Sequence, residues 1–566
     1  MTSVTKSASP DVSHPEPSTG TLRATRPRPG SRPRFWPRPR AGWALIASPA
    51  ITLAVMLWGA GARPYWGDEA DTISAVSRSL PQLFRLLGHI DAVHGLYYLL
   101  LWPVARIAGT EEFVTRLPSA VAMAVAAAGT TAIAGRFGSL RAGLWAGLVF
   151  AVLPAVTLQG HDVRPYAAVT AAAVLASYLL VRVAEEPSPR WLAAYGLSLV
   201  GVGYVQMFGL LLLPAHAVTL IGLSRRRAAA AGAGPPRVVL LRRWLVTAAA
   251  SVVATAPIVV LGWVQRGQIA WIPQTSWGDV GSLVQMLTAG SEAAAIVIGL
   301  LCVIGLLCGL GVVRAGMVRP ELVRVGVVRA ELVREGEVRD GDVGAGRGIA
   351  WLALPWLVLP PAILLAASLI MPVYFTRYLT YCLPAVALLA GAGLAGMGRN
   401  GWLGWLGRTG RPRRGGTHRA LRALSTCAAF GTFALVAVLV GPVQLAMRAQ
   451  GGGMQTVAQF LSVNERPGDA IVYPEASIPP WYLAYPEGFS RLRDLSMAES
   501  PATAGRLFGS GVRQAVLYQR EQSVRRFWIV PEAGRSPAGY IAPGFRLARE
   551  WKLRGYQTVL LYTKTG

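Results

Sequence analysis

The chain has 566 residues, of which 53% are hydrophobic and only 15% charged, with a mean hydropathy of +0.42. That balance excludes an ordinary soluble protein, and repeated apolar runs of about 18–22 residues exclude a closed β-barrel, whose strands are short and alternate. The net charge of +27 does not point to nucleic acid, because the basic residues concentrate in the N-terminal tail and in the links between apolar runs, where they set topology.

Residues 1–41 include an Arg- and Pro-rich stretch from Arg23 to Arg40 and have nothing to build a core from. They are expected to be a disordered basic cytoplasmic tail facing anionic lipid. The basic region is too long for a cleavable signal peptide, and no small-residue cleavage site follows the apolar run. Trp43–Gly61 then runs from inside to outside, which places the loop 62–116 outside. Within it, Gly95–Ala105 is too short to span and meets Pro103 and Arg106, so an interfacial or re-entrant helix is predicted. The later links at Arg136–Arg141, Glu185–Arg190 and Arg225–Arg227 all fall inside only if this segment does not cross.

The spanning helices predicted from hydropathy are 42–61, 117–135, 141–158, 165–183, 190–205, 206–223, 244–263, 293–313, 349–370, 379–397 and 423–445, about eleven in all. The turn within 190–223 is expected near Gly201 and Gly203. Between 313 and 340 a Val-Arg pair recurs every five residues, at Arg314, Arg319, Arg324, Arg329, Arg334 and Arg339. This period fits neither a heptad nor a helical face, and 314–348 reads as a low-complexity cytoplasmic loop. Residues 446–566 contain no membrane-length apolar run. Strands are predicted at Ala470–Tyr473, Ala515–Tyr518, Phe527–Val530 and Thr558–Tyr562, with a helix over Met454–Val463. The expected fold is therefore an all-α polytopic membrane bundle over 42–445, followed by a small C-terminal α/β domain. An odd number of spans puts that domain on the extracytoplasmic side. The four cysteines, Cys302, Cys308, Cys382 and Cys427, lie in or beside apolar segments without metal-ligand spacing, so neither a disulfide framework nor a zinc site is expected.

The first loop opens on Arg63-Pro64-Tyr65-Trp66-Gly67-Asp68-Glu69. Adjacent carboxylates at the edge of an apolar bundle can take a proton from a hydroxyl or hold a cation. The same side is expected to carry Asp91, His94 and Arg116, the link Gln159-Gly160-His161-Asp162-Val163-Arg164-Pro165-Tyr166, and Tyr374-Phe375-Thr376-Arg377-Tyr378. Arginines and carboxylates on one face of a bundle suit chemistry on an anionic lipid headgroup, since a guanidinium grips phosphate in a fork. Each residue also has a plainer alternative. Arg116 and Arg377 could snorkel, Arg164 could pair with Asp162, and His94 and His161 could lie on the surface. Tyr97, Tyr98, Trp102 and Tyr378 could be interfacial aromatics.

The ordered set Gly67-Asp68-Glu69-Ala70, Asp91-Ala92-Val93-His94-Gly95-Leu96-Tyr97-Tyr98, Arg116-Leu117-Pro118-Ser119, Arg164-Pro165-Tyr166 and Arg377-Tyr378-Leu379 resembles the GT-C superfamily of polyprenyl-phosphate-sugar-dependent glycosyltransferases. The branch it looks like is that of the protein O-mannosyltransferases and aminoarabinose transferases, as found in actinobacteria. It departs from the pattern at His94-Gly95-Leu96-Tyr97, where relatives often carry Pro-Pro-Leu-Tyr. The resemblance implies an inverting transfer of a sugar, mannose by this likeness, from a lipid phosphate to a hydroxyl of a protein or cell-envelope glycan acceptor outside the membrane. It implies Asp68 as the base, with Glu69 orienting the acceptor or supporting Asp68. Arg377, Arg164 and Arg116 would bind the donor phosphate. Asp91, His94, Tyr97, Tyr98, Tyr166 and Tyr378 would line the substrate site. No cofactor is implied; a divalent metal near the acids, used elsewhere in the superfamily, is the disfavoured alternative. A lipid or glycan transporter would instead carry its charges deep within broken helices. A non-catalytic assembly protein would be indifferent to changes at Asp68.

Overall fold

The computed structural model describes residues 42–565 apart from 232–236, 289, 311–328, 398–414, 450–452, 475–476, 479–480, 532–535 and 555–556. Trp43–Gly566 forms one compact unit. The tail 1–41 and the first half of the Val-Arg repeat lie outside the described residues.

Among the described residues, eight helices are long and apolar enough to cross a membrane, or nine if one bent pair counts as a single span. The remaining two of the eleven predicted spans are also helices. Gly42–Leu57 has 16 residues and Pro189–Val205 has 17, both short of the roughly 20 that cover a bilayer core. The bent pair is Leu140–Val152 and Pro154–Gly160, predicted as one helix and broken by 66°. Pro154 has no N–H to continue the helical ladder, and Leu153 before it is extended (φ −63°, ψ 123°). The bend turns the following link, 161–165, into the bundle. The turn in 190–223 falls at Gln206 and the 3₁₀ segment Met207–Leu211, not at Gly201 or Gly203, which stay helical. The helix Arg329–Ser368 takes in the second half of the repeat region as well as a predicted span.

Leu383–Met397 is the bundle's inner helix, buried on every side from Leu383 to Ala395. It is mostly Ala, Gly and Leu, which lets neighbouring backbones close in. A Cβ at Gly393 would collide with the Leu301 carbonyl of the helix Glu292–Leu310, and one at Gly305 of that helix would collide with the Leu389 carbonyl.

Two short helices, α1 (Gly67–Val76) and α2 (Leu80–His89), and a longer one, α3 (Gly95–Ala108), fill the 62–116 loop. With 14 residues α3 is too short to span, as its composition predicts. The C-terminal region builds a five-stranded sheet from β1 (Ala470–Val472), β2 (Arg493–Asp494), β3 (Arg526–Ile529), β4 (Phe545–Lys552) and β5 (Thr558–Lys564), in the order β2-β1-β3-β5-β4. β1 runs parallel to β2 and β3, and β5 antiparallel to β3 and β4. The helix Met454–Asn464 falls where predicted. Ala515–Tyr518, predicted as a strand, lies in the helix Gln514–Gln522. Leu517 and Glu521, four residues apart, form its buried face, and a four-residue apolar run carries no period to reveal this.

Candidate active site

Glu69 sits in the first turn of α1 and is 1% exposed. Its Oε1 accepts from Arg116 Nε and from the Val163 amide, both at 2.9 Å. Its Oε2 accepts from Arg116 Nη2 at 2.7 Å and from the Trp66 amide at 3.4 Å. Arg116 is equally buried and spends its remaining N–H groups on the carbonyls of Ala60 (2.8 Å), Arg63 (2.7 Å) and Pro64 (3.4 Å). A guanidinium has five donors, and all five are in use. One expectation is corrected here: Arg116 has no N–H left for a phosphate; both Glu69 oxygens are engaged, which leaves Glu69 the supporting alternative of the two. Together they are the buried brace of the loop that carries Asp68.

Asp68 is the open carboxylate, with its side chain 39% exposed. Its Oδ2 lies 3.5 Å from Arg377 Nη1 and 3.9 Å from Arg164 Nη2. The Arg377 guanidinium lies 4.2 Å from the Trp66 ring centre and 4.8 Å from that of Phe375, and makes no hydrogen bond to the described protein. Stacking holds the fork in place and leaves its N–H groups free. Arg164 is 9% exposed, donates to His94 Nε2 at 2.7 Å and to the Asp68 carbonyl at 3.4 Å, and has an unpartnered Nε. Because a guanidinium only donates, His94 must present a bare Nε2 and carry its proton on Nδ1. Burial, with Arg164 alongside, pushes the His94 ring down to about 4 against the pull of Asp91, so it stays neutral.

Asp162 does not pair with Arg164. Its Oδ1 accepts from Trp66 Nε1 at 3.0 Å, and burial, with the Glu69 carboxylate nearby, raises its pKa above the usual carboxylate range. His161 is buried rather than on the surface. Its Nε2 donates to the Met56 carbonyl at 2.5 Å, and burial pushes it down to about 4. Asp91 accepts from the Tyr98 hydroxyl at 2.6 Å and holds φ +62°, the one non-glycine residue with positive φ among those described. Tyr97 and Tyr166 are buried. The Tyr378 ring stacks on Phe208 at 5.0 Å and lies 6.5 Å from Tyr166. Asp68, Arg164, Arg377, His94 and Asp91 are therefore brought together, with Tyr166 and Tyr378 beside them and Glu69 and Arg116 behind. Among the described residues no three His, Cys, Asp or Glu side chains are grouped to hold a metal ion.

Sequence reasoning missed Trp66, Phe375, Gln206 and Asp71. Gln206 donates to the Tyr378 carbonyl at 3.4 Å and leaves its own Oε1 unpartnered. Asp71 follows Asp68 by three residues on α1, a spacing that puts both on one helix face. Burial, then the Asp91 carboxylate, push Asp71 up to about 7 even with Arg164 near. The unfolded carboxyl titrates near 3.9, so between about pH 4 and 7 the native state keeps a proton that the unfolded chain releases. Stability from this group is therefore present at acid pH and is lost as pH rises towards 7. Asp71→Asn is expected to raise the thermal denaturation midpoint in detergent at pH 8, with the gain shrinking as pH falls and gone by about pH 4. An equal gain at both values would show that Asp71 does not titrate in this window.

A family model described as dolichyl-phosphate-mannose-protein mannosyltransferase matches residues 96–261. No curated protein sequence matches the chain. The crystal structure of ArnT from Cupriavidus metallidurans bound to undecaprenyl phosphate is similar at a TM-score of 0.50 and 14% identity, covering 92% of this chain and 98% of that one. Its apo state gives the same figures. The archaeal oligosaccharyltransferase AglB from Archaeoglobus fulgidus is a weaker likeness, with a TM-score of 0.38 and 11% identity over 87% of this chain and 69% of that one. The family model covers 96–261 alone, and the likeness to ArnT, which runs over nearly the whole of both chains, is one of fold: a multi-pass helical membrane bundle with a small C-terminal domain.

Proposed function

We propose that the chain transfers mannose from a polyprenyl phosphate to a hydroxyl of a protein or cell-envelope glycan, at the extracytoplasmic face and with inversion at the sugar carbon. The observation that carries this reading is the half-open Asp68 carboxylate between two arginines. In a single displacement the acceptor O–H gives its proton to Asp68 as its oxygen bonds to C1 of the sugar. The C1–O bond to phosphate breaks, and its electron pair leaves with the phosphate. Arg377 and Arg164 lie where that charge develops, and pairing it lowers the barrier. Two guanidinium ions do here what a divalent metal does at other phosphate sites, so the reading requires no metal.

A groove suits the lipid tail. A cavity of about 220 Å³ is lined by apolar side chains including Met207, Phe208, Val259, Trp263, Leu364 and Met371. Phe208 connects it to the site through the stack on Tyr378. The charged headgroup would then lie at Arg377 and the prenyl chain in the groove.

The test is transfer in sealed vesicles. Polyprenyl-phosphate mannose should donate and a mannose nucleotide should not. A cysteine at Gly539, where a side chain meets nothing within 4 Å, should react with an impermeant thiol reagent only in vesicles whose external acceptor is mannosylated. Movement of intact lipid across the bilayer without transfer would favour the transporter.

A further inference from the structure

The loop that carries Asp68 shares its apolar core with the C-terminal region rather than with the bundle. Tyr65, Ile73, Val76 and Leu83 pack in one cluster with Val457, Ala458, Tyr485, Phe489 and Trp528, separate from the bundle's core. Polar contacts follow the same seam. Ser74 donates to the Leu507 carbonyl at 3.3 Å, and Arg78 Nη2 to the Arg506 carbonyl at 2.5 Å.

At the head of the loop the contact narrows to one hydroxyl. The Tyr65 amide donates to the Tyr485 hydroxyl at 2.6 Å, which donates in turn to Glu112 Oε1 at 3.1 Å. Gln455, also from the C-terminal region, donates to the same Glu112 oxygen at 3.3 Å. The Tyr65 hydroxyl is within hydrogen-bonding distance of the Thr110 carbonyl (2.7 Å) and Thr115 Oγ1 (2.6 Å), and its ring centre lies 5.4 Å from the Arg116 guanidinium. Tyr65 is thus fixed at its backbone, hydroxyl and ring, and the backbone anchor comes from a residue 420 positions away. Asp68 follows three residues later, at the start of a helix whose next residue, Glu69, is held by Arg116.

We propose that Tyr485 is a positioning residue for the reaction at Asp68, and that the C-terminal region is the scaffold of the catalytic loop. It acts through Tyr65 and touches no substrate. The proposal deepens the function proposed above and rests on Asp68 being the base.

Tyr485→Phe in the full chain keeps the ring in its core and removes only the hydroxyl. The Tyr65 amide then has no acceptor, and the start of α1 can drift. Displacement of a reacting group by about 1 Å costs on the order of 100-fold, so kcat should fall by about tenfold to 100-fold. The donor KM should change less than kcat, because Arg377 is also held by the Phe375 ring and Arg164 by His94, neither of which lies on this path. Amide hydrogen exchange over residues 70–76 should quicken while β1 keeps its protection. Tyr518→Phe, which removes a hydroxyl elsewhere in the same region, should change none of these.

A fall in kcat together with faster exchange over 70–76 supports the proposal. Any other combination in Tyr485→Phe overturns it: parental kcat, or lowered kcat with parental exchange. The exchange reading does not depend on catalysis. If Asp68→Asn retains transfer, the assignment of the base fails, while exchange still reports whether Tyr485 orders the loop.

Discussion

Asp68→Asn is expected to lower the transfer rate by about 100-fold to 10,000-fold while expression and membrane insertion stay at parental levels. The size follows from removing a base from a proton-transfer step. The specificity follows from the geometry. Asp68 is the acid of the pair with an accessible carboxylate, while Glu69 makes four hydrogen bonds at 1% exposure. Asparagine keeps the size and some hydrogen bonding, and α1 loses only a favourable charge at its first turn, a matter of about 0.3–1 kcal/mol. The measurement is initial rate at saturating donor and acceptor on purified protein in detergent. A variant within threefold of the parent, about 0.6 kcal/mol in barrier, would move the base to Asp71 or Asp91, the other carboxylates beside Arg164.

The spans were legible because the bilayer imposes a length. A helix such as Glu292–Leu310, almost wholly apolar, has no other reading. The ordering of polar links was legible too, which put Asp68, Arg164 and Arg377 on one side before any coordinates. Their division of labour was not legible. Nothing local distinguishes Arg116 from Arg377. Each opens an apolar segment, and each could snorkel or bind phosphate. What separates them is a partner 47 residues away for Arg116 and the rings of Trp66 and Phe375 for Arg377. The same holds for Trp66, whose indole bonds Asp162 across 96 residues. Pro154 carries a readable signal, since a proline inside an apolar run predicts a break. The role of Tyr485 had no signal in its neighbourhood at all, because its partners Tyr65 and Glu112 belong to the other end of the chain.

The two arginines that look alike in the sequence should respond in opposite ways. Arg116→Ala is expected to destabilise the fold by about 3–5 kcal/mol, the usual loss when one member of a buried ion pair is removed. Glu69 would remain at 1% exposure without a counter-charge, and the carbonyls of Ala60, Arg63 and Pro64 would lose their donors. Removing Glu69 as well should recover part of the loss, because the stranded charge goes with it. The readout is the denaturation midpoint in detergent, with the donor KM of the protein that remains folded staying near the parental value. Arg377→Lys should leave that midpoint unchanged, since its side chain is 28% exposed and its one ion pair among the described residues, with the half-open Asp68 at 3.5 Å, survives in lysine's charge. Its charge survives, but the planar fork stacked on Trp66 does not, and losing one charge-assisted hydrogen bond to phosphate should raise the donor KM about tenfold. If Arg116→Ala leaves the midpoint unchanged and raises the donor KM instead, the brace and the phosphate site have been assigned to the wrong arginines.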